Sequence, residues 1–257
     1  MAKINNWCKR TETNIKSHKL TYLEADAAQR NLAVASVADV VPGHYADPSR
    51  IAHILARLGK AEAAEYVATK LPTGAKSRSG DIGEILASSF LSEFSDYKLG
   101  ILKLRWADHR EMAMRGDDIL AIKINPDGKV MFLKGEVKSR ASLTKSTVAE
   151  ARKALSSSNG RPTPHALAFV ADRLYEIGRT DLSDLIDEFQ LKRRIALEQV
   201  SHMMFVFTGN NPCALLTADL ITYTGKIPQH SIGLRVAAHQ AFIKEIFEKV
   251  IADASKP

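Results

Sequence analysis

The chain has 257 residues, 45% of them hydrophobic, enough to bury a full core as one large domain or as a catalytic domain with an extension. Lysine and arginine number 36 against 29 acids, a formal charge of +7 that favours a polyanionic partner. Two cysteines are too few for a disulfide framework or a zinc site. No apolar run reaches the roughly 18 residues of a membrane span and no signal peptide opens the chain, so a soluble cytoplasmic protein is expected.

Residues 1–21 are polar and basic without clear periodicity and read as a strand or an arm. Residues 23–41 are Ala-rich and predict a helix that ends at the breaker sequence Val41-Pro42-Gly43. Asp47-Pro48 is an N-cap followed by Pro at the first helical position. Ile51, Ile54, Leu55 and Leu58 recur at helical spacing up to Gly59, and a second helix follows over 60–70. The basic, turn-rich link of residues 71–78 places a boundary, with a mainly helical N-terminal region over 1–75 and a second domain over 76–257. There Ser79 is a good N-cap for a helix carrying Ile82, Ile85, Leu86 and Phe90, which puts Glu84 in its first two turns. Residues 97–106 alternate as a strand through Leu99, Ile101 and Leu104. Residues 119–124 and 130–137 are apolar and β-branched, and the turn formers Asn125-Pro126-Asp127-Gly128 join them as a hairpin. Beyond it the pattern predicts a helix over 144–156, a flexible loop over 156–162, helices over 165–178 and 181–196, and a buried strand over 203–207. An edge strand over 231–236 and a terminal helix over 239–252 complete the chain.

The stretch 114–140 carries the chemistry. On a strand, Glu136 and Lys138 share a face while Val137 points the other way, into packing. Pairing across the hairpin brings Asp117 and Asp118 next to them, so carboxylates and an ammonium converge. Hard oxygen donors of this kind suit Mg²⁺, which keeps water and phosphate oxygens beside one or two carboxylates. Lys138 adds a point charge on a flexible stem. Glu84 becomes a third carboxylate if its helix abuts the hairpin. Singly, each residue is ordinary: a Glu-x-Lys is usually a solvated ion pair, and an acid early in a helix is favoured by the macrodipole alone. The joint order, with Gly135 allowing close backbone approach, singles them out.

Helix Glu84, strand Asp118, Glu136-Val137-Lys138 and then a helix, in that order, resembles the PD-(D/E)xK nuclease superfamily. The fuller wording Ser79-Gly80-Asp81-Ile82-Gly83-Glu84, Arg115-Gly116-Asp117-Asp118 and Gly135-Glu136-Val137-Lys138-Ser139 is similar to the HamA family, the nuclease-like subunits of Hachiman anti-phage systems. The resemblance covers roughly Gly80 to the C-terminus. It implies an α/β fold with a PD-(D/E)xK restriction-endonuclease-like core, a mixed central sheet flanked by helices, behind the mainly helical N-terminal extension. It also implies a DNA endonuclease dependent on Mg²⁺ (or Mn²⁺), with Glu84, Asp118 and Glu136 as metal ligands, Lys138 as their catalytic companion, and a superfamily 2 helicase of HamB type as partner. The superfamily's Pro before the Asp is absent, since Asp118 follows Asp117. The choice between the two aspartates stays open, with Asp118 preferred because it immediately precedes the apolar run. No phosphate loop or Gly-x-Gly-x-x-Gly is present, so any ATP-driven step belongs to the partner. None of the eight histidines stands in a metal-ligand spacing; His202, beside a buried strand, reads as a satisfied core residue. The alternatives are a catalytically vestigial nuclease fold that binds DNA or docks the helicase, and a restriction or repair nuclease.

Overall fold

The computed structural model describes residues 1–112 and 116–255; Met114 and Arg115, which open the motif stretch, lie outside them. The first 25 residues form a hairpin of β1 (Cys8–Ile15) and β2 (His18–Ala25). Helices α1 (Arg30–Tyr45), α2 (Pro48–Leu58), α3 (Lys60–Lys70) and α4 (Ala75–Phe94) follow. Next come β3 (Lys98–Leu99), β4 (Ile119–Ile124) and β5 (Val130–Arg140), then α5 (Lys145–Ser156), α6 (Pro164–Glu176) and α7 (Thr180–Asp187). The chain ends with β6 (Val200–Thr208), α8 (Cys213–Thr222), β7 (Gln229–Arg235) and α9 (His239–Ser255).

The fold is α/β: among the described residues seven strands make one mixed sheet in the order β1-β2-β7-β6-β5-β4-β3. The four central strands β2, β7, β6 and β5 run parallel, and antiparallel hairpins close both edges. A parallel strand covered on both faces carries a near-continuous apolar run. β6 fits that pattern, with Met203, Phe205 and Phe207 in the core under α1, α4 and α9, and Met204 and Val206 against α5 and α8. A third cluster, around Phe132, Leu167, Leu174 and Phe189, packs α6 and α7 onto the outer face of the β4–β5 hairpin. His202 is buried and satisfied, with Nε2 at 2.7 Å from the Gly160 carbonyl and Nδ1 accepting from Gln229. No helix among the described residues is long and apolar enough to cross a membrane.

Several elements depart from their sequence pattern for physical reasons. α1 continues through Pro42 and Gly43 to Tyr45: the proline gives up one intrahelical bond, and burial of Val41 and Tyr45 on either side of it offsets that loss. The strand predicted over 97–106 shrinks to two residues and gives way to a 3-10 turn over Lys103–Trp106. The strand expected at an edge, β7, lies inside the sheet between β2 and β6, because the N-terminal hairpin covers it. The helix expected over 181–196 ends at Asp187 and loosens into a π-helical turn over Glu188–Arg193. The loop over 156–162 is pinned from below, since Lys134 Nζ donates to the Ser157 and Arg161 carbonyls at 2.9 and 3.1 Å.

Elements before and after residue 75 share one core, in which Trp7, Val37, Phe90 and Phe242 all lie. Trp7 is 1% exposed, donates through Nε1 to the Ala2 carbonyl at 2.9 Å, and its ring stands 6.2 Å from that of Phe242. Trp7→Ala is expected to cost about 3–5 kcal/mol of global stability. Urea unfolding checks this: a single shifted transition is the expected result, and early melting of the N-terminal elements alone the contrary one.

Candidate functional site

β4 enters the sheet at Ile119, paired with Gly135, whereas β5 runs on to Arg140 beside β6 alone. The pairing requires glycine: a Cβ at 135 would stand 2.7 Å from Ile119 Cβ. Past this point β5 has no strand on its β4 side among the described residues, and a backbone N–H left there needs another acceptor. Asp118 provides it, Oδ2 accepting from the Val137 N–H at 2.8 Å. The carboxylate is thereby held at the open end of the hairpin.

Glu136 and Lys138 project from one face of β5, Lys138 Nζ donating to Glu136 Oε1 at 2.6 Å, with side chains 13% and 20% exposed. Val137 and Ser139 face the other way, onto α4 at Gly83, where a Cβ would meet them at 3.1 and 3.2 Å. That close approach sets the next residue, Glu84, beside Asp118. The two line a small cavity of about 30 Å³ together with Lys103, Asp117 and His44, room for on the order of one or two waters. Glu136 and Lys138 stand just outside it. All four residues singled out by the sequence are half-buried at this one place.

Helix α4 begins at Ala75, so Ser79 is not its N-cap: it lies inside the helix, and its Oγ is 2.8 Å from Ser139 Oγ. The cap comes from across the chain, as Glu111 accepts the Thr73 and Gly74 N–H groups at 2.6 and 3.1 Å. Glu84 therefore sits in the third turn, beyond the reach of the helix dipole, which fades after the first. It has no hydrogen-bond or ion-pair partner among the described residues. A dipole-favoured surface acid does not describe it.

Asp117 has a different fate from its neighbour. It is buried, Oδ2 accepting from the Thr163 N–H at 2.7 Å and Oδ1 standing 3.4 Å from Lys134 Nζ, the two side chains 4% and 2% exposed. Its carbonyl accepts from Lys103 Nζ at 2.9 Å. Lys103 and His44 line the cavity although the sequence pattern singled out neither, and for Lys103 the cue was present. In an alternating segment it falls on the same side as Leu99 and Ile101, a charge on an apolar face.

The charges do not balance. Burial, and then the Asp118 charge beside it, push Glu84 up to about 8, against the pull of Lys103. Burial and Asp118 push Glu136 up to about 7, although Lys138 opposes them. Burial raises Asp118 as well, while the Val137 N–H, Lys103 and Lys138 hold it down. Among the described residues no three His, Cys, Asp or Glu side chains are gathered closely enough to form a ready-made metal cage. The arrangement is an acidic cleft with a surplus of negative charge and two lysines at its margin.

This fold and cleft define an α/β protein with an acidic site at the open end of a β-hairpin. A family model described as HamA matches residues 2–250, and the chain belongs to the HamA family. It is 28% identical over 250 residues to the Hachiman protein HamA of Bacillus cereus, covering 94% of this chain and 88% of that protein.

A carboxyl whose folded pKa is raised holds more protons than the unfolded chain between about 4.5 and that folded value, so stability falls as pH rises through the window. Burial pushes His44, His202, His230 and His239 down to about 4, and they act in the opposite sense up to about pH 6.5, so the cluster is read from a difference. Metal-free Glu84→Gln should gain thermal stability relative to the parent progressively between about pH 5 and about pH 8, and a difference that does not change with pH would count against the cluster. Asp117→Ala leaves Lys134 buried without its counter-charge and should cost about 3–5 kcal/mol, whereas Asp118→Asn keeps an acceptor for Val137 and should leave denaturant stability unchanged or raised.

Proposed function

We propose that this chain is the DNA-cutting subunit of an anti-phage defence complex. In this reading it is a Mg²⁺-dependent endonuclease of PD-(D/E)xK type that hydrolyses phosphodiester bonds under the control of a superfamily 2 helicase of HamB type. The observation that carries the chemistry is Asp118, fixed by the Val137 N–H between Glu84 and Glu136 with Lys138 alongside. Membership of the HamA family and similarity to a protein named for the Hachiman system support the biological setting.

The residues fit a hard divalent cation. Asp118, Glu84 and Glu136 would hold Mg²⁺ or Mn²⁺, and one or two carboxylates at a time suffice when water and phosphate oxygens complete the shell. Burial and then the neighbouring Asp118 charge raise the pKa values of Glu84 and Glu136, and a bound cation would offset the mutual repulsion. When bound, the ion lowers the pKa of a water and offsets charge on the phosphoryl oxygens. The chain's own residues do the rest. The Val137 N–H keeps Asp118 from swinging away, and Gly83 keeps Glu84 against it. Lys138 Nζ, on its flexible stem, is placed to leave Glu136 for the scissile phosphate or the attacking water. Lys103 fixes a second positive charge at the far side of the cleft.

Two observations favour a second reading, a nuclease fold that binds DNA or docks the helicase without cutting. Lys138 is folded onto Glu136, and no three-ligand cage stands ready among the described residues. Incubating the purified chain, alone and with the helicase, with plasmid in Mg²⁺ or EDTA separates the two. The nuclease reading expects nicking or degradation in Mg²⁺, none in EDTA, and a loss of about a hundredfold or more in Glu136→Ala/Lys138→Ala with unchanged circular dichroism. Full cleavage by the double variant would falsify it, and plasmid binding without cutting under every condition selects the second reading.

A further inference from the structure

On the outer face of the β4–β5 hairpin, away from the acidic cleft, three irregular features meet. The turn Glu188–Arg193 is π-helical, a form that is rare and enriched at functional sites. Arg194, which ends it, adopts φ 58° and ψ 139°, and across the groove Ser158 and Asn159 both take φ 54°. Backbone held in such sparsely populated regions persists only where its surroundings impose it, and it collects at binding and catalytic sites. Between these segments lies a cleft of about 500 Å³, lined by Asn159, Arg161, Pro164, Phe189, Leu191 and Arg194.

The side chains at its rim are arranged with purpose. Phe189 is buried edge-on against Phe132, ring centroids 5.2 Å apart, and anchors the turn to the core. Two residues on, and so on the opposite side of the turn, Leu191 is 76% exposed, more than any other large apolar side chain among the described residues. Lys192, Arg193 and Arg194 follow it directly, all exposed. Arg193 pairs with Glu188 at 2.9 Å, while Lys192 and Arg194 have no ion pair among the described residues. An apolar side chain held out from a turn and flanked by cations matches the chemistry of a nucleic-acid strand, whose phosphates meet the cations and whose base steps admit the apolar group. The patch is also tied to the acidic cleft. Between Pro162 and Pro164, Thr163 donates its N–H to Asp117, the neighbour of Asp118.

We propose that Leu191 is a wedge that inserts into the base stack of DNA, with Lys192 and Arg194 gripping the flanking phosphates. The turn Glu188–Arg193 thus forms a DNA-deforming site separate from the acidic cleft. The inference rests on DNA being the substrate, but it concerns binding and not cutting.

The test uses the full chain carrying Glu136→Ala/Lys138→Ala, in EDTA, with a fluorescein-labelled duplex and a second duplex containing 2-aminopurine. Lys192→Ala/Arg194→Ala is expected to weaken anisotropy-measured affinity about tenfold at moderate salt and to reduce the slope of log K against log salt by about two. Leu191→Ala is expected to leave that slope unchanged and to abolish the rise in 2-aminopurine fluorescence that reports unstacking. Because Leu191 is exposed, its variants should fold, and Leu191→Met should restore the signal. Unchanged affinity in the double variant, or an unchanged fluorescence rise in Leu191→Ala, overturns the proposal. So does loss of helicase binding with DNA affinity intact, which assigns the patch to a protein. A chain that cuts DNA yet ignores these substitutions removes the wedge alone, and one that unstacks DNA through Leu191 but never cuts removes the nuclease reading alone.

Discussion

One hydrogen bond, from the Val137 N–H to the Asp118 carboxylate, stands where β4 stops and β5 goes on. A strand that outruns its neighbour leaves backbone groups without partners, and a buried N–H left unsatisfied costs about 1–3 kcal/mol. The fold meets that demand with a side chain, and so the requirement that orients Asp118 is one of stability. The neighbouring acid meets a different demand. Asp117 balances the ammonium of Lys134 and accepts the N–H that precedes α6, so its carboxylate is tied into the fold and acts on Asp118 and Glu136 only as a neighbouring charge. Two identical residues in sequence are thus divided between architecture and chemistry by the register of one hairpin.

The same division explains the charge of the site. Three lysines approach the acids, but each is committed: Lys134 to Asp117, Lys138 to Glu136, and Lys103 to a backbone carbonyl. What remains unbalanced falls on Glu84 and Asp118, the pair that shares a cavity the size of a water or two. Burying like charges together is costly, and a protein keeps such a cluster where something outside the chain completes it.

Local signals were legible in the sequence and long-range ones were not. The hairpin of β4 and β5, the cap and proline of α2, and the helix after Glu136-Val137-Lys138 announce themselves within a few residues. The start of α4 does not, since its cap is Glu111, more than thirty residues away, and Ser79 offered a local substitute. The N-terminal hairpin was hidden because β1 is exposed on most of its length and carries no apolar alternation, while β7 looked like an edge only because its partner β2 lies at the other end of the chain. At the site, the acids and Lys138 could be picked out by spacing. The separation of Asp117 from Asp118 needed Thr163 and Lys134, and Lys103 needed the fold to bend its segment out of the sheet.

The parallel pairing of β2 with β7 bears on how the molecule is made. Lys19 lies beside His230, so the sheet cannot be completed on the ribosome until the last strand has emerged. Topology of this kind, dominated by contacts distant in sequence, slows folding and delays it until β7 has been made. The edge that Leu20 and Leu23 close stays open throughout translation, with apolar surface exposed to other chains. Because β2 covers β7 across some two hundred residues, a chain that stops short of β7 has neither a finished sheet nor the frame that holds its acids together.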